Sequence, residues 1–274
     1  MSVEPPYPEF DEIMTAIGEA GWRLSEIQAS EGAAGNISVY MGWPVEPRRK
    51  FPLEETIELP LAAPELAGGS FLVTGSGRRL REIRADPAAN LGCVVVNQDG
   101  RTARLYTSPR RLFVRLTSEF NSHLAVHHDQ VIRTATNFHA VVHAQPLHLI
   151  YLSHIPAYRS EDYLNYHLLR WQPEAIVNLP EGLGLIPFEV PGSPELMQAT
   201  VTSLRTHRVV VWAKHGVMAR SDASVKRACD RIEYAETGAH YEYLNLVNHE
   251  QADGLSADEV RAISQSLNIQ QNIF

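Results

Sequence analysis

The stretch 91–108, LGCVVVNQDGRTARLYTS, constrains the fold most, because it holds two runs of strand-forming residues separated by Asp99-Gly100. That dipeptide supplies the positive backbone angles of a tight hairpin turn, and a tight hairpin can join only antiparallel neighbours. The rest of the chain interleaves strand-like and helix-like runs without repeats or low-complexity tracts. Residues 9–28 place Ile13, Ile17, Trp22 and Ile27 at near-helical spacing, which predicts a first helix. GNISVYM alternates as a strand, EPRRKFPLEE reads as a loop, and GSFLVTGSG reads as a strand running into a glycine-rich turn. TSEFNSHLAVHHDQVI opens with Thr117 and Ser118, either of which is a candidate helix cap. FHAVVHAQ predicts a strand, and PLHLIYLSH a short helix with Pro146 in its first turn. A further helix starts at Ser193-Pro194-Glu195, and RVVVWAKHG is a buried strand. Ser221 begins a long helix reaching about Asn248, and Ser256 with Glu259 forms a capping box before a last helix. Together these elements predict a single α/β domain over 1–274, with helices packed on a mostly antiparallel sheet.

The 274 residues are 44% hydrophobic and 20% charged, enough to bury a full core. With 24 basic against 32 acidic residues the net charge is −8, so nucleic acid and anionic membrane surfaces are not expected partners. The opening MSVEPPYPEF has acids and prolines where a secretory leader has basic and apolar residues, and the expected compartment is the cytoplasm. Cys93 and Cys229 belong to no CxxC pair and are expected as reduced core thiols.

The chemistry-bearing residues cluster around HAVVHAQPLH, residues 139–148. On a strand His143 and Gln145 share one face while Ala144 takes the other. His215 sits at the end of the RVVVWAKHG strand, where Gly216 lets the backbone turn away, and Glu119 lies just after Thr117 and Ser118. Two imidazoles, an amide oxygen and a carboxylate would suit zinc or another divalent ion if the fold gathers them. Spacing does not show that it does, since a lone histidine is more often a packed core residue. His148 reads as a pocket or helix residue, and His123, His127 and His128 as solvated or interface positions. The glycine-rich pieces GAAGNIS and TGSG, with LTSE at a helix start, could form an anion nest suited to phosphate, although each also passes as an ordinary turn.

The ordered series GNIS, FLVTGSG, DPAANLG, TSE, VVHAQP, EGLGLIPFEVPGS and WAKHGV resembles the class II aldolase family from about residue 9 to about residue 270. The resemblance implies a mostly antiparallel sheet flanked by helices on both sides. It also implies a cytoplasmic zinc-dependent homotetramer of rhamnose catabolism, acting on a phosphorylated ketose: reversible cleavage of L-rhamnulose 1-phosphate to dihydroxyacetone phosphate and L-lactaldehyde. Carried over by motif, the metal ligands are His143, Gln145 and His215, and the acid/base is Glu119. Phosphate contacts fall on Asn36, Ser38, Thr74, Gly75, Ser76, Gly77, Thr117 and Ser118, and Glu174 matches an acid supplied by a neighbouring subunit. Lys214 is not needed as a Schiff base, and strand alternation would turn it away from His215. Gln145 departs from the family's usual His-x-His strand, which leaves open a weaker metal site or a non-catalytic member without metal; an epimerase or dehydratase of the same fold is the separate alternative.

Overall fold

The computed structural model describes residues 2–273. Among them, nine strands form one sheet: β1 (Asn36–Met41), β2 (Leu53–Glu58), β3 (Ser70–Thr74), β4 (Leu91–Val96), β5 (Thr102–Thr107), β6 (Phe138–Ala144), β7 (Gly184–Ile186), β8 (Val209–Trp212) and β9 (Gly216–Ser221). Their spatial order is β2-β5-β4-β3-β1-β6-β9-β8-β7, and only the β7–β8 pair is parallel. The β4–β5 hairpin forms as expected. Gly100 takes φ 60°, and Asp99 Oδ1 accepts from the backbone N–H groups of Arg101 and Thr102 at 2.9 Å each.

The helices are α1 (Phe10–Glu26), α2 (Leu80–Ile83), α3 (Pro87–Asn90), α4 (Phe120–Thr134), α5 (Leu147–His154), α6 (Glu161–Leu169), α7 (Pro173–Asn178), α8 (Pro194–Ser203), α9 (Val225–Val247) and α10 (Ala257–Ser266). Alternation along the central strands sends side chains into two different cores. Ala140, Val142 and Ala144 of β6 join the core built with α1, α5, α6, α7 and α9. Val141 of the same strand joins the core lined by Ala125 and Val126 of α4 and Leu196 and Val201 of α8. Strand β6 is therefore covered on both faces, and all seven of its residues are buried. His139 and His143, in phase with Val141, lie on the α4 face.

Several boundaries differ from the sequence expectation. EPRRKFPLEE is not all loop, because β2 begins at Leu53; as an edge strand paired only with β5, it is almost wholly exposed and lacks an apolar signature. Strands β7 and β9 were not anticipated. Ser221 closes β9 instead of opening a helix, and Ser224 caps α9 by accepting from Arg227 N–H at 3.0 Å. Helix α4 starts at Phe120 with Glu119 in the cap position and neither Thr117 nor Ser118 there; Thr117 Oγ1 instead accepts from Glu119 N–H at 3.4 Å. Pro146 precedes α5 instead of lying in its first turn. The Ser256–Glu259 capping box forms as expected. Cys93 and Cys229 are both buried and unpaired. Among the described residues no helix is long and apolar enough to cross a membrane.

Candidate active site

Three pieces of backbone converge where β6 ends: the approach to α4, the last turn of β6, and the tight connection from β8 to β9. They bring one ligand atom each of Glu119, His143 and His215 within 4.8 Å of one another. Glu119 Oε2 lies 3.5 Å from His143 Nε2, and Glu119 Oε1 lies 3.4 Å from His215 Nε2. His143 is buried, and its Nδ1–H donates to the Val217 carbonyl at 2.8 Å. That bond fixes the tautomer and leaves the Nε2 lone pair directed at the site, the arrangement seen in metal-ligating imidazoles.

His215 lies in the β8–β9 turn, past the end of β8 at Trp212, so the expectation of a strand-end residue is corrected. Lys214 has φ 65°, with its N–H on Ser153 Oγ at 2.7 Å, so turn geometry and not strand alternation sets its direction. Burial, reinforced by His143, pushes the His215 imidazole down to about 4. Its Nδ1 is buried without a hydrogen-bond partner among the described residues. Burial also pushes the Glu119 carboxyl up, but His143, the Asn36 amide and His215 outweigh it and hold the group below the usual carboxylate range. The donors fit a divalent cation: a buried carboxylate held below its ordinary range beside two imidazole nitrogens offers the oxygen and nitrogen donors that zinc-type sites use.

Gly216 makes this packing possible. A methyl group there would meet Ala144 O at 2.5 Å, His143 Cε1 at 2.7 Å and Gln145 Cγ at 3.3 Å. Gln145 follows β6 directly, donates its N–H to Ala29 O at 2.8 Å, and is half-buried beside His143. Together with Glu119, His143 and His215 it lines a pocket of about 220 Å³ that also includes Asn36, Gly75, Ser76, Gly77, Thr117 and Ser118.

The phosphate-side residues are not all equivalent. Gly75 N–H donates to Asn90 O and Ser76 N–H to Arg115 O, both at 2.9 Å, which leaves the nest fewer backbone donors than the sequence suggests. The hydroxyls of Ser76, Thr117 and Ser118 and the backbone of Gly77, at φ 71°, are what the rim offers an anion. Ser38 and Thr74 are buried behind the pocket and do not line it: Ser38 Oγ lies between His123 and His127, and Thr74 Oγ1 accepts from Ile37 N–H. Glu174 is exposed in the first turn of α7 and does not line the pocket. His148 pairs with Glu236 at 2.7 Å and stacks on His240, outside the site.

Two findings were missed in the sequence. Arg78, directly after TGSG, lines the pocket; its guanidinium is oriented by Asn90 Oδ1 at 2.8 Å and Glu82 Oε2 at 2.7 Å, and adds the fixed positive charge that the glycine-rich turn lacks. His123 and His127 are fully buried, not solvated, because this face of α4 packs onto the sheet. Their spacing of four residues from Glu119 and from each other was the available signal.

The family described as class II aldolase and adducin N-terminal domain matches residues 16–243. A rhamnulose-1-phosphate aldolase of Bacteroides thetaiotaomicron is 31% identical over 261 residues, covering 94% of this chain and 92% of that protein. One from Klebsiella pneumoniae is 31% identical, covering 78% of this chain and 76% of its own length. Among solved structures, a sugar-phosphate aldolase from Thermotoga maritima superposes with a TM-score of 0.72 at 27% identity, covering 87% of this chain and 96% of its own.

Proposed function

The chain belongs to the class II aldolase and adducin family, and from that premise we propose that it is a metal-dependent aldolase cleaving L-rhamnulose 1-phosphate reversibly into dihydroxyacetone phosphate and L-lactaldehyde. The carrying observation is the convergence of Glu119, His143 and His215 in a pocket that is also lined by the glycines and hydroxyl groups of the 75–77 and 117–118 segments. The likeness over most of the chain to relatives that bear this name supports the substrate. In this reading the whole chain, 1–274, is one catalytic domain of the class II aldolase type, working in the cytoplasm.

His143, Gln145 and His215 would hold a divalent cation, zinc in this reading, with the Glu119 carboxylate facing it. When bound, such an ion supplies Lewis-acid stabilisation to the negative charge that develops on the C2 and C3 oxygens. The chain's own residues do the rest. The Ser76, Thr117 and Ser118 hydroxyls and the Gly77 backbone, with Asn36 and Arg78 at the rim, grip the phosphate and hold the reacting carbons at Glu119, while Gly75 shapes the turn that carries Ser76 and Gly77. In cleavage the C3–C4 bond breaks, the C4 hydroxyl gives its proton to the Glu119 carboxylate as the aldehyde forms, and the electron pair remains on the three-carbon fragment as an enediolate. Glu119 then passes that proton to C3; in condensation it removes the C3 proton and returns it to the aldehyde oxygen as the C3–C4 bond forms. Glu174 from a neighbouring subunit of a homotetramer is the further acid. Ser38 and Thr74 support the pocket from behind in this scheme.

Dihydroxyacetone phosphate release from L-rhamnulose 1-phosphate tests the reading, with the purified protein before chelator treatment, after it, and after restoring a divalent ion. Release that disappears and returns with the ion is expected. No release with any added metal would overturn it.

A further inference from the structure

Five buried hydrogen bonds run in series from the sheet interior to Glu119. His139 Nδ1 meets His127 Nδ1 at 2.8 Å, and His127 Nε2 meets Ser38 Oγ at 2.7 Å. Ser38 Oγ meets His123 Nδ1 at 2.6 Å, His123 Nε2 meets Asn36 Oδ1, and Asn36 Nδ2 donates to Glu119 Oε2 at 2.8 Å. Every residue in the series is at most 8% exposed. The geometry follows from periodicity: Asn36 and Ser38 alternate onto one face of β1, Glu119, His123 and His127 recur every fourth residue, and His139 shares its face of β6 with His143.

The direction of each bond can be deduced from the last one. Asn36 presents Nδ2 to Glu119 Oε2 and Oδ1 to His123 Nε2, and an amide nitrogen only donates while its oxygen only accepts, so the amide fixes the direction at this end. His123 then carries its proton on Nε2 and accepts at Nδ1 from the Ser38 hydroxyl. Ser38 accepts from His127 Nε2–H, which leaves His127 Nδ1 to accept from His139 Nδ1–H. The remaining atom, His139 Nε2, is then a bare lone pair, and it is the one ring nitrogen of the series with no partner among the described residues. That end-point agrees with the deduction, since an orphaned buried donor is rarer than an orphaned acceptor. Burial keeps the rings neutral, as single tautomers require: it pushes His123 and His139 down to about 3 and His127 well below its ordinary value.

We propose that this series is a relay of fixed polarity that holds the Asn36 amide with its NH2 toward Glu119, making Asn36, Ser38, His123 and His127 positioning residues for the proton-transferring carboxylate. Reversing any link would turn the Asn36 carbonyl toward Glu119 and set two acceptors against each other. Aligned donors also polarise one another, so the bond that Glu119 receives is stronger than an isolated amide would give. The kinetic half of the inference rests on the aldolase reading; the structural half does not.

The wild-type holoenzyme, labelled with ¹⁵N-histidine, reports each ring's tautomer directly in long-range proton–nitrogen spectra near neutral pH. Neutral Nε2–H forms at His123 and His127 and a neutral Nδ1–H form at His139 are expected. An Nδ1–H tautomer or an imidazolium at His123 or His127 would overturn the relay, whether or not the protein proves to be an aldolase. In turnover, Ser38→Ala should lower kcat about tenfold or more, with KM for the ketose phosphate and metal content unchanged, and Ser38→Thr should restore it. An unaltered kcat in Ser38→Ala, or an equal loss in Ser38→Thr, would overturn the positioning role. Absence of cleavage by the wild type would refute the aldolase reading and leave the spectra to decide the relay.

Discussion

Gly216→Ala separates the packing of the proposed metal-ligand residues from their chemistry. The glycine has ordinary extended backbone, so no conformational strain attends the substitution; the effect is steric. A Cβ at 2.5 Å from the Ala144 carbonyl oxygen cannot be relieved by a side-chain rotation, because that oxygen belongs to β6, to which β9 is paired. The two strands must part locally, and the next atom met is His143 Cε1 at 2.7 Å. Overpacking of this kind costs about 1–3 kcal/mol, and at about 2–4 °C per kcal/mol for a chain approaching this size the melting temperature should fall by roughly 5 °C. Disturbing the setting of a ligand imidazole should weaken divalent-metal affinity by about 10–100-fold. Differential scanning calorimetry of the metal-free protein and chelator-competition titration measure the two quantities. Gly32→Ala is the control: Gly32 is left-handed at φ 54° with nothing within 4 Å, so it should lose about 1 kcal/mol of stability and no metal affinity. Unchanged metal affinity in Gly216→Ala would refute the argument that this contact sets the His143 ring.

Glu119→Gln keeps shape and hydrogen-bonding capacity but cannot carry the proton, so turnover should fall by about 10²–10⁴; dihydroxyacetone phosphate binding, measured by calorimetry, should be retained, and its loss would contradict the assigned division of labour. Gln145→His should tighten divalent-metal binding in a chelator competition, because imidazole is a stronger donor than a neutral amide oxygen; equal affinity would show that residue 145 does not ligate. The buried rings predict acid sensitivity. His123 and His139 have folded values of about 3, against about 6.5 in an unfolded chain, so the unfolded chain takes up protons first. Stability is then complete above about pH 6.5 and is lost toward about pH 3, at roughly 1.4 kcal/mol per pH unit for each ring. Melting temperatures recorded between those limits check this, and a flat profile would contradict it.

Strand β6 and the β4–β5 hairpin were legible because burial on both faces leaves a largely apolar run, broken only by His139 and His143, and Asp99-Gly100 dictates the turn. β2 was not legible: with one strand neighbour and solvent around it, LEETIE needs no apolar face to be held in place. β9 was hidden because only residues 213–215 separate it from β8, so the two read as a single segment, and both Ser221 and Ser224 are credible caps. Ser221 Oγ does accept from the N–H groups of Ala223 and Ser224, but in a turn that precedes the helix. At the site, the residue types around Glu119, His143 and His215 were readable. The inward turn of His123 and His127 was not, since helical spacing shows which residues share a face of α4 but not which face the sheet covers.

The two ends of the sheet bear on how copies of this chain can meet. One end is β2, whose Glu54, Glu55 and Glu58 lie along an open hydrogen-bonding edge; the other is β7, only three residues long. A second copy adding its own β2 antiparallel to this one would have to bury Glu58 and the Arg48–Glu54 and Arg111–Glu55 pairs along the seam, and such charged edge residues discourage strand addition; β7 offers too short a ladder to hold a foreign strand. The sheet is thereby guarded against growing from one molecule into the next, the route that leads to fibrous aggregation. Any closed assembly of copies would then have to use the helical and loop surfaces.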